Sequence, residues 1–254
     1  NFSRNRKKAF VTALSLSLTG ILLLCISAYA NSVDVKEMAQ SQFGDRSQYL
    51  LQYEDHAGWE FVEMQKENPL GLPLQEKLAA LPGVDDVTAY SLACVEIPAI
   101  SAIPGNRAHE PFVVRGISRE DMKEMYVGDA VLDGAADYQQ LLDGNGILVC
   151  PAGSALREIY RTGYQVGDTI TVSCYNGRTK TYTVMGIVRD VQIGNSSHFF
   201  ILPEEELSAL YPEIQDFTGY VNLHTGQDSN QLRRAVFDAV SDQRVVISGL
   251  DDLS

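Results

Sequence analysis

The chain is poor in the residues that perform chemistry. It has one tryptophan, four histidines and four cysteines in 254 residues, and 20 basic residues stand against 33 acidic ones. His56, His109, His198 and His224 are scattered singly, with no second histidine at i+3 or i+4, so the spacing of a zinc site is missing. "YEDHAGWE" does gather Glu54, Asp55, His56 and Glu60, but without that second histidine it reads as a solvated loop. No G-x-x-x-x-G-K-[ST] phosphate loop occurs, so ATP binding by this chain is not expected. "DGNGIL", with Gly144 and Gly146, lacks the third glycine of a dinucleotide site and reads as a turn. Ser154 in "PAGSALRE" is outside any G-x-S-x-G elbow and is better placed to cap the following helix. We therefore expect no catalytic, cofactor-binding or metal-binding residue, and no enzyme activity in this chain.

The scarcity of cysteine sets the redox reading. Cys25 lies in an apolar run, which leaves Cys94, Cys150 and Cys174, an odd number at irregular spacing and a poor disulfide framework. Each sits in a strand-like stretch ("AYSLACVEI", "GILVC", "TITVSC"), so buried thiols are expected. The spacing does not choose among the three pairings that one bridge would allow.

What the chain does have is one long run without charge. Arg4, Arg6, Lys7 and Lys8 precede 22 uncharged residues, Ala9 to Ala30, ending in Ala-Tyr-Ala. A signal peptide's apolar region is about 7–15 residues, whereas a span needs roughly 20. At 1.5 Å per residue this run reaches about 33 Å, enough to cross the hydrocarbon core. The Ala-Tyr-Ala suits a cleavage site, but the length favours a retained transmembrane helix. Residue 1 is Asn, which reads as a start inside a longer protein. The basic block before the run keeps that flank in the cytoplasm and puts residues 31–254 outside. Without those four charges, 16 basic residues face 33 acidic ones, a formal charge of −17 over the 224 outer residues. Such a surface excludes nucleic acid as a partner. Membrane lipid is contacted through residues 9–30 alone.

Ile21 to Phe43 holds no Gly or Pro, so the helix can continue outward as a stalk; the rival reading has Asn31 or Ser32 capping a fresh helix. "SQYLLQYE" then reads as a strand, "LPLQEKLAALPGV" as a helix stopped by Pro82-Gly83, and "DDVTAYSLACVEI" as a second strand. The far end repeats the pattern. "TGYVNLH" is a strand, Asp228 or Ser229 can cap a helix with Leu232, Val236 and Val240 on one face, and "RVVISGL" is another strand. The fold class expected is α+β: an N-terminal transmembrane helix, then a split β-α-β (ferredoxin-like) region with an inserted β-rich subdomain. The divisions are 1–30, the basic flank and span; 31–97, the stalk and first half; 98–216, the insertion; and 217–254, the second half. Within the insertion, Asn176-Gly177 marks a hairpin. A three-residue loop pairing Ile170 with Tyr182 puts larger apolar surfaces on one face than a two-residue loop pairing Ile170 with Thr183. Trp59 suits either an interfacial anchor or the core.

The order of these features is itself informative. "RNRKK" precedes a Ser/Leu-rich span. "LPLQEKLAALPGVDDVTAY", "FVVRGISREDM", "GILVCPAGSALREIYRTGYQVGDTITVSCYNGRTKTYTVMGIVRD" and "HFFILPEEELSALY" follow. The chain resembles the first span and extracytoplasmic core domain of an FtsX/MacB-type ABC transporter permease. The family's "LPGV", "V-x-G-I" and "G-D-T-I-T-V…Y-T-V-x-G-I-V-x-D" segments match Leu81–Val84, Val114–Ile117 and Gly167–Asp190. The resemblance implies a porter region with a β-rich insertion and a separate cytoplasmic ATP-binding subunit as partner. It also implies a second permease copy or half, and export or mechanotransmission across the plasma membrane. A membrane-tethered extracytoplasmic binding or sensor domain is the alternative that one span plus an acidic outer domain would also suit. Alkaline phosphatase fused after Ser254 is expected to be active, with the Ala30–Asn31 bond uncut. A soluble product starting at Asn31 would overturn the retained span.

Overall fold

Alternation in "SQYLLQY" and "VDDVTAYSLACVE", and the 3.6-residue spacing between them, set the architecture of the computed structural model. It describes residues 47–54, 58–151, 155–189, 198–225 and 230–249. The expected span, stalk and helix caps at Ser154, Asp228 and Ser229 lie outside the described residues. So do Tyr29, Asp55 and His56. No helix among the described residues is long and apolar enough to cross a membrane.

The structure is mixed α+β. Strand β1 (Ser47–Tyr53) is followed by helices α1 (Trp59–Gln65) and α2 (Leu72–Ala79) and then by β2 (Val84–Glu96). At the other end of the chain come β9 (Thr218–Thr225), α8 (Asn230–Ala239) and β10 (Val245–Gly249). These four strands lie side by side in the order β10-β1-β9-β2, every pair antiparallel. Helix α2 ends because Pro82 cannot extend it and Gly83 turns the chain at φ +96°. In α8, Leu232 and Val236 are buried and Val240 packs just beyond them. Lys77 of α2 donates to the Ala239 carbonyl at the end of α8 (2.8 Å), a cation placed where the helix dipole is negative.

Between these halves run β3 (Pro111–Ile117), β4 (Val131–Gly134), β5 (Gly146–Val149), β6 (Thr169–Ser173), β7 (Thr179–Val188) and β8 (Phe200–Pro203). They do not form a separate sheet. Strand β2 pairs with β9 from Val84 to Ser91 and with β3 from Ser91 to Glu96, so one sheet runs β10-β1-β9-β2-β3-β8-β5-β7-β4. Strand β6 hangs from this path, pairing with β7 and touching β2 at Glu96–Ser173. The hairpin has the three-residue loop: Ile170 faces Tyr182, and Gly177 sits at φ +81°.

The inserted region also holds helices that apolar periodicity does not announce, because each spans only four to seven residues. They are α3 (Pro98–Ser101), α4 (Arg119–Met125), α5 (Tyr138–Asp143), α6 (Ala155–Glu158) and α7 (Glu204–Leu210). Local caps start two of them. Ser118 Oγ accepts from Asp121 N (3.1 Å), and Asp137 Oδ1 accepts from Gln140 N (2.8 Å).

Strands β5 and β8 are buried on both faces, and their alternation serves two cores. Ile147, Val149, Phe200 and Leu202 join the main core, which extends under β1, β2 and β9. Leu148 and Ile201 face a smaller core with Ile117, Met122, Tyr138 and Leu141 under α4 and α5. The three outer cysteines are buried thiols, as the strand-like runs predicted. Burial pushes the Cys174 thiol up to about 11, so it stays protonated at neutral pH.

Where β7 passes β4, the backbones come close. A Cβ at Gly186 would lie 2.5 Å from the Ala135 carbonyl oxygen, a contact that side-chain movement cannot relieve. Gly186→Ala is expected to cost about 1–3 kcal/mol. That lowers the melting temperature by roughly 2–4 °C per kcal/mol in a domain of this size. A melt unchanged within about 1 °C would show that β4 gives way.

Candidate functional site

Among the described residues, those singled out from the sequence for possible chemistry are not brought together. Among the described residues no group of three or more His, Cys, Asp or Glu is arranged to hold a metal. His109 is exposed and pairs with Glu96 (3.0 Å), His224 meets the Thr88 hydroxyl (3.2 Å), and the His198 ring packs edge-on to Tyr220 (5.9 Å). Gly144 and Gly146 lie at the turn leading from α5 into β5. Trp59 opens α1, packs on the core and stacks on Tyr175 with ring centroids 5.7 Å apart.

What the fold does build is a junction between the two ends of the described chain. The start of β1 pairs with the end of β10, Tyr49 opposite Gly249, and the register runs on to Tyr53 opposite Val245. The chain therefore enters and leaves this sheet at the same end, on neighbouring strands about 5 Å apart. Strand β1 is held on both sides, by β10 and by β9, so a displacement of β1 loads two hydrogen-bond ladders at once. At the far end of the pair, Glu54 N donates to the Arg244 carbonyl (3.0 Å), and the Arg244 guanidinium grips Asp242 at 2.6 and 2.9 Å. That contact holds the Asp242 carboxyl below the usual carboxylate range. The pair is largely exposed and adds little stability.

Polar side chains then join the helices to both halves of the sheet. Tyr53 donates its hydroxyl hydrogen to Asn68 Oδ1. Asn68 Nδ2 donates to the Asp216 carbonyl (2.7 Å) and carboxylate (3.0 Å). Asp216 also accepts from Leu72 N (3.1 Å) at the start of α2 and from Thr218 N (2.9 Å) at the start of β9. Buried Gln65 donates to the carbonyls of Leu92 (2.8 Å) and Phe217 (3.1 Å). Residues from the two ends of the sequence thus share hydrogen bonds around one carboxylate and one amide.

The inserted strands are tied in the same way. Tyr211 donates to the Cys94 carbonyl on β2 (2.5 Å) and accepts from Tyr175 N at the hairpin tip (3.1 Å). Glu206 on α7 accepts from Lys180 (2.5 Å) and from the Tyr182 hydroxyl (3.0 Å) on β7. Periodicity could not find these links, since all but the local Asp216–Thr218 bond join partners 15 to 152 residues apart in sequence. The one available signal was polar residues, Gln65 and Glu206, at otherwise apolar positions.

No family model and no curated protein matches the chain. Three domains are among the solved structures to which its fold is similar. The periplasmic region of MacB from Actinobacillus actinomycetemcomitans is 13% identical at a TM-score of 0.43, over 85% of this chain and 94% of that one. The extracellular domain of the noncanonic ABC-type transporter YknZ from Gram-positive bacteria is 14% identical at 0.38, over 80% and 99%. A domain of a putative permease protein from Porphyromonas gingivalis is 15% identical at 0.33, over 69% and 74%. They are of the class the sequence resembles, but at these scores the likeness assigns no function by itself.

Asp216→Ala leaves two backbone N–H groups without their carboxylate acceptor and removes one of the two bonds the Asn68 amide makes to this residue, and is expected to cost about 2–3 kcal/mol. Asp216→Asn, which keeps one acceptor oxygen, should cost less. Chemical denaturation measures both, and equal losses would show that packing rather than these bonds holds the junction.

Proposed function

We propose that this chain is part of an FtsX/MacB-type ABC permease subunit and that residues 31–254 are its extracytoplasmic domain, tethered by the span at 9–30. In this reading a separate cytoplasmic subunit binds and hydrolyses ATP, and the outer domain turns movement of the span into export or a mechanical signal. A second permease copy or half completes the membrane assembly. Segments 31–97 and 217–254 form a ferredoxin-like porter module, and 98–216 is its β-rich insertion. The order β10-β1-β9-β2 with helical crossovers inside each half supports that division.

The observation that supports the reading best is the pairing of β1 with β10. A domain inserted between two membrane-bound segments must receive and return the chain at one place, and Tyr49 opposite Gly249 does this. A β1 flanked on both sides suits a strand through which force arrives. The uncharged run behind a basic block, and the order of the family's segments, supply the membrane part of the argument.

If Ala9–Phe43 is one continuous helix of about 52 Å, it carries a tilt of the span directly towards β1. Inserting Gly-Ser-Gly-Ser between Asn31 and Ser32 is then expected to spare folding and membrane insertion. It should abolish transport-linked or signalling activity while basal ATP hydrolysis by the partner persists. Full activity in the insertion variant would show that the span only anchors. Purification from native membranes without any ATP-binding subunit would favour a tethered sensor instead.

A further inference from the structure

The inserted region holds a cavity that the mechanical reading does not use. Its volume is about 240 Å³. Val149 and Ile187 line it, and they are paired residues at the carboxyl ends of the parallel strands β5 and β7. In open sheets with parallel strands, that is where ligands settle, because the connections there diverge and leave a crevice. Leu156, Gly163 and Tyr164 line it as well, together with Arg157, which is exposed.

Part of the lining is held in place. Tyr164 packs edge-on against Phe200 of the main core (6.0 Å), and Thr162 N donates to the Leu156 carbonyl (3.1 Å). Asn106 Nδ2 donates to the Tyr160 carbonyl (2.8 Å), and Arg161 donates to the Pro104 carbonyl (3.0 Å), stitching the loop to its neighbour. These contacts hold Tyr164 and residues 160–162 in place before any ligand arrives, which lowers the ordering cost of binding.

Its chemistry is selective. The lining is mostly apolar, with one exposed guanidinium, and Ile159 on the adjoining turn leaves 63% of its surface in water. Among the described lining residues Arg157 is the only charged one. We infer that this cavity binds a small carboxylate with an apolar body, its chain over Val149 and Ile187 and its anion on Arg157. The volume lies just below the roughly 300–1,000 Å³ typical of ligand pockets, so one short acyl chain or one apolar side chain fits and a whole lipid does not. The same chemistry is offered by a free short-chain fatty acid and by the carboxy-terminal residue of a peptide.

The test uses the 254-residue chain in lipid nanodiscs, with empty nanodiscs as blank, titrated by calorimetry and ligand-observed NMR. Octanoate and acetyl-Ala-Leu with a free carboxyl are the probes; octylammonium and the amidated dipeptide are the controls. At least one free carboxylate should bind with Kd below about 1 mM, and the tighter of the two names the source. Arg157→Glu reverses an exposed charge without touching the core. Gly163→Leu adds bulk to the lining, where a Cβ meets nothing closer than Arg157 Nε at 3.6 Å. Both variants should keep the melting temperature and weaken the carboxylate at least about tenfold, while Arg157→Lys stays near the parent. The inference is overturned if neither carboxylate binds below about 1 mM, if the controls bind equally, or if binding survives in Arg157→Glu.

Discussion

Strand β2 is thirteen residues long, and the rest of the sheet depends on it. Its first half lies against β9 and its second half against β3, with Ser91 at the changeover. The change is also one of environment: Val84 to Ser91 is partly exposed, while Leu92 to Val95 is wholly buried. A strand shared by two sets of partners cannot move for one without moving for the other. Splitting the sheet at β2 would strand a row of unpaired N–H and C=O groups inside the main core, and buried groups of that kind are costly. The close approach at Gly219, where a Cβ would meet the Leu92 side chain at 2.5 Å, leaves no slack beside the seam.

Around this seam the polar links have a consistent logic. Several buried or half-buried polar side chains join elements that are distant in sequence: Gln65 holds the Leu92 and Phe217 carbonyls where β2 meets the start of β9, Asp216 holds the start of α2 and of β9, and Tyr211 holds β2 to the hairpin tip. Apolar packing alone tolerates sliding, because it is not directional. Hydrogen bonds into a dry core fix register, since breaking one exposes an unsatisfied group. The result is a body whose strands and helices are held in one register. The cavity at the ends of β5 and β7 sits in the part of that body farthest in strand order from β1 and β10, so ligand binding there need not disturb the junction.

The sequence by itself determined the four strands at the chain's ends and the helices Leu72–Ala79 and Asn230–Ala239 between them, because each has a repeat of 2 or 3.6 over enough residues to be seen; the seven-residue helix Trp59–Gln65 it did not announce. It also determined the hairpin at Asn176-Gly177, down to the pairing of Ile170 with Tyr182, since only one register puts the large apolar side chains on one face. The buried state of the cysteines followed from the same alternation. Tertiary structure alone decided the rest. Helices such as "REDMKEM" and "YQQLLD" are under two turns and owe their existence to a cap and a core to rest on. The parallel pairing of β3 with β8 joins segments more than eighty residues apart, and nothing local records it. The meeting of Val149, Ile187 and Arg157 around one cavity, and of β1 with β10 at one end of the sheet, is likewise a matter of topology. Periodicity tells a residue which face it lies on; only the closed chain tells it what that face meets.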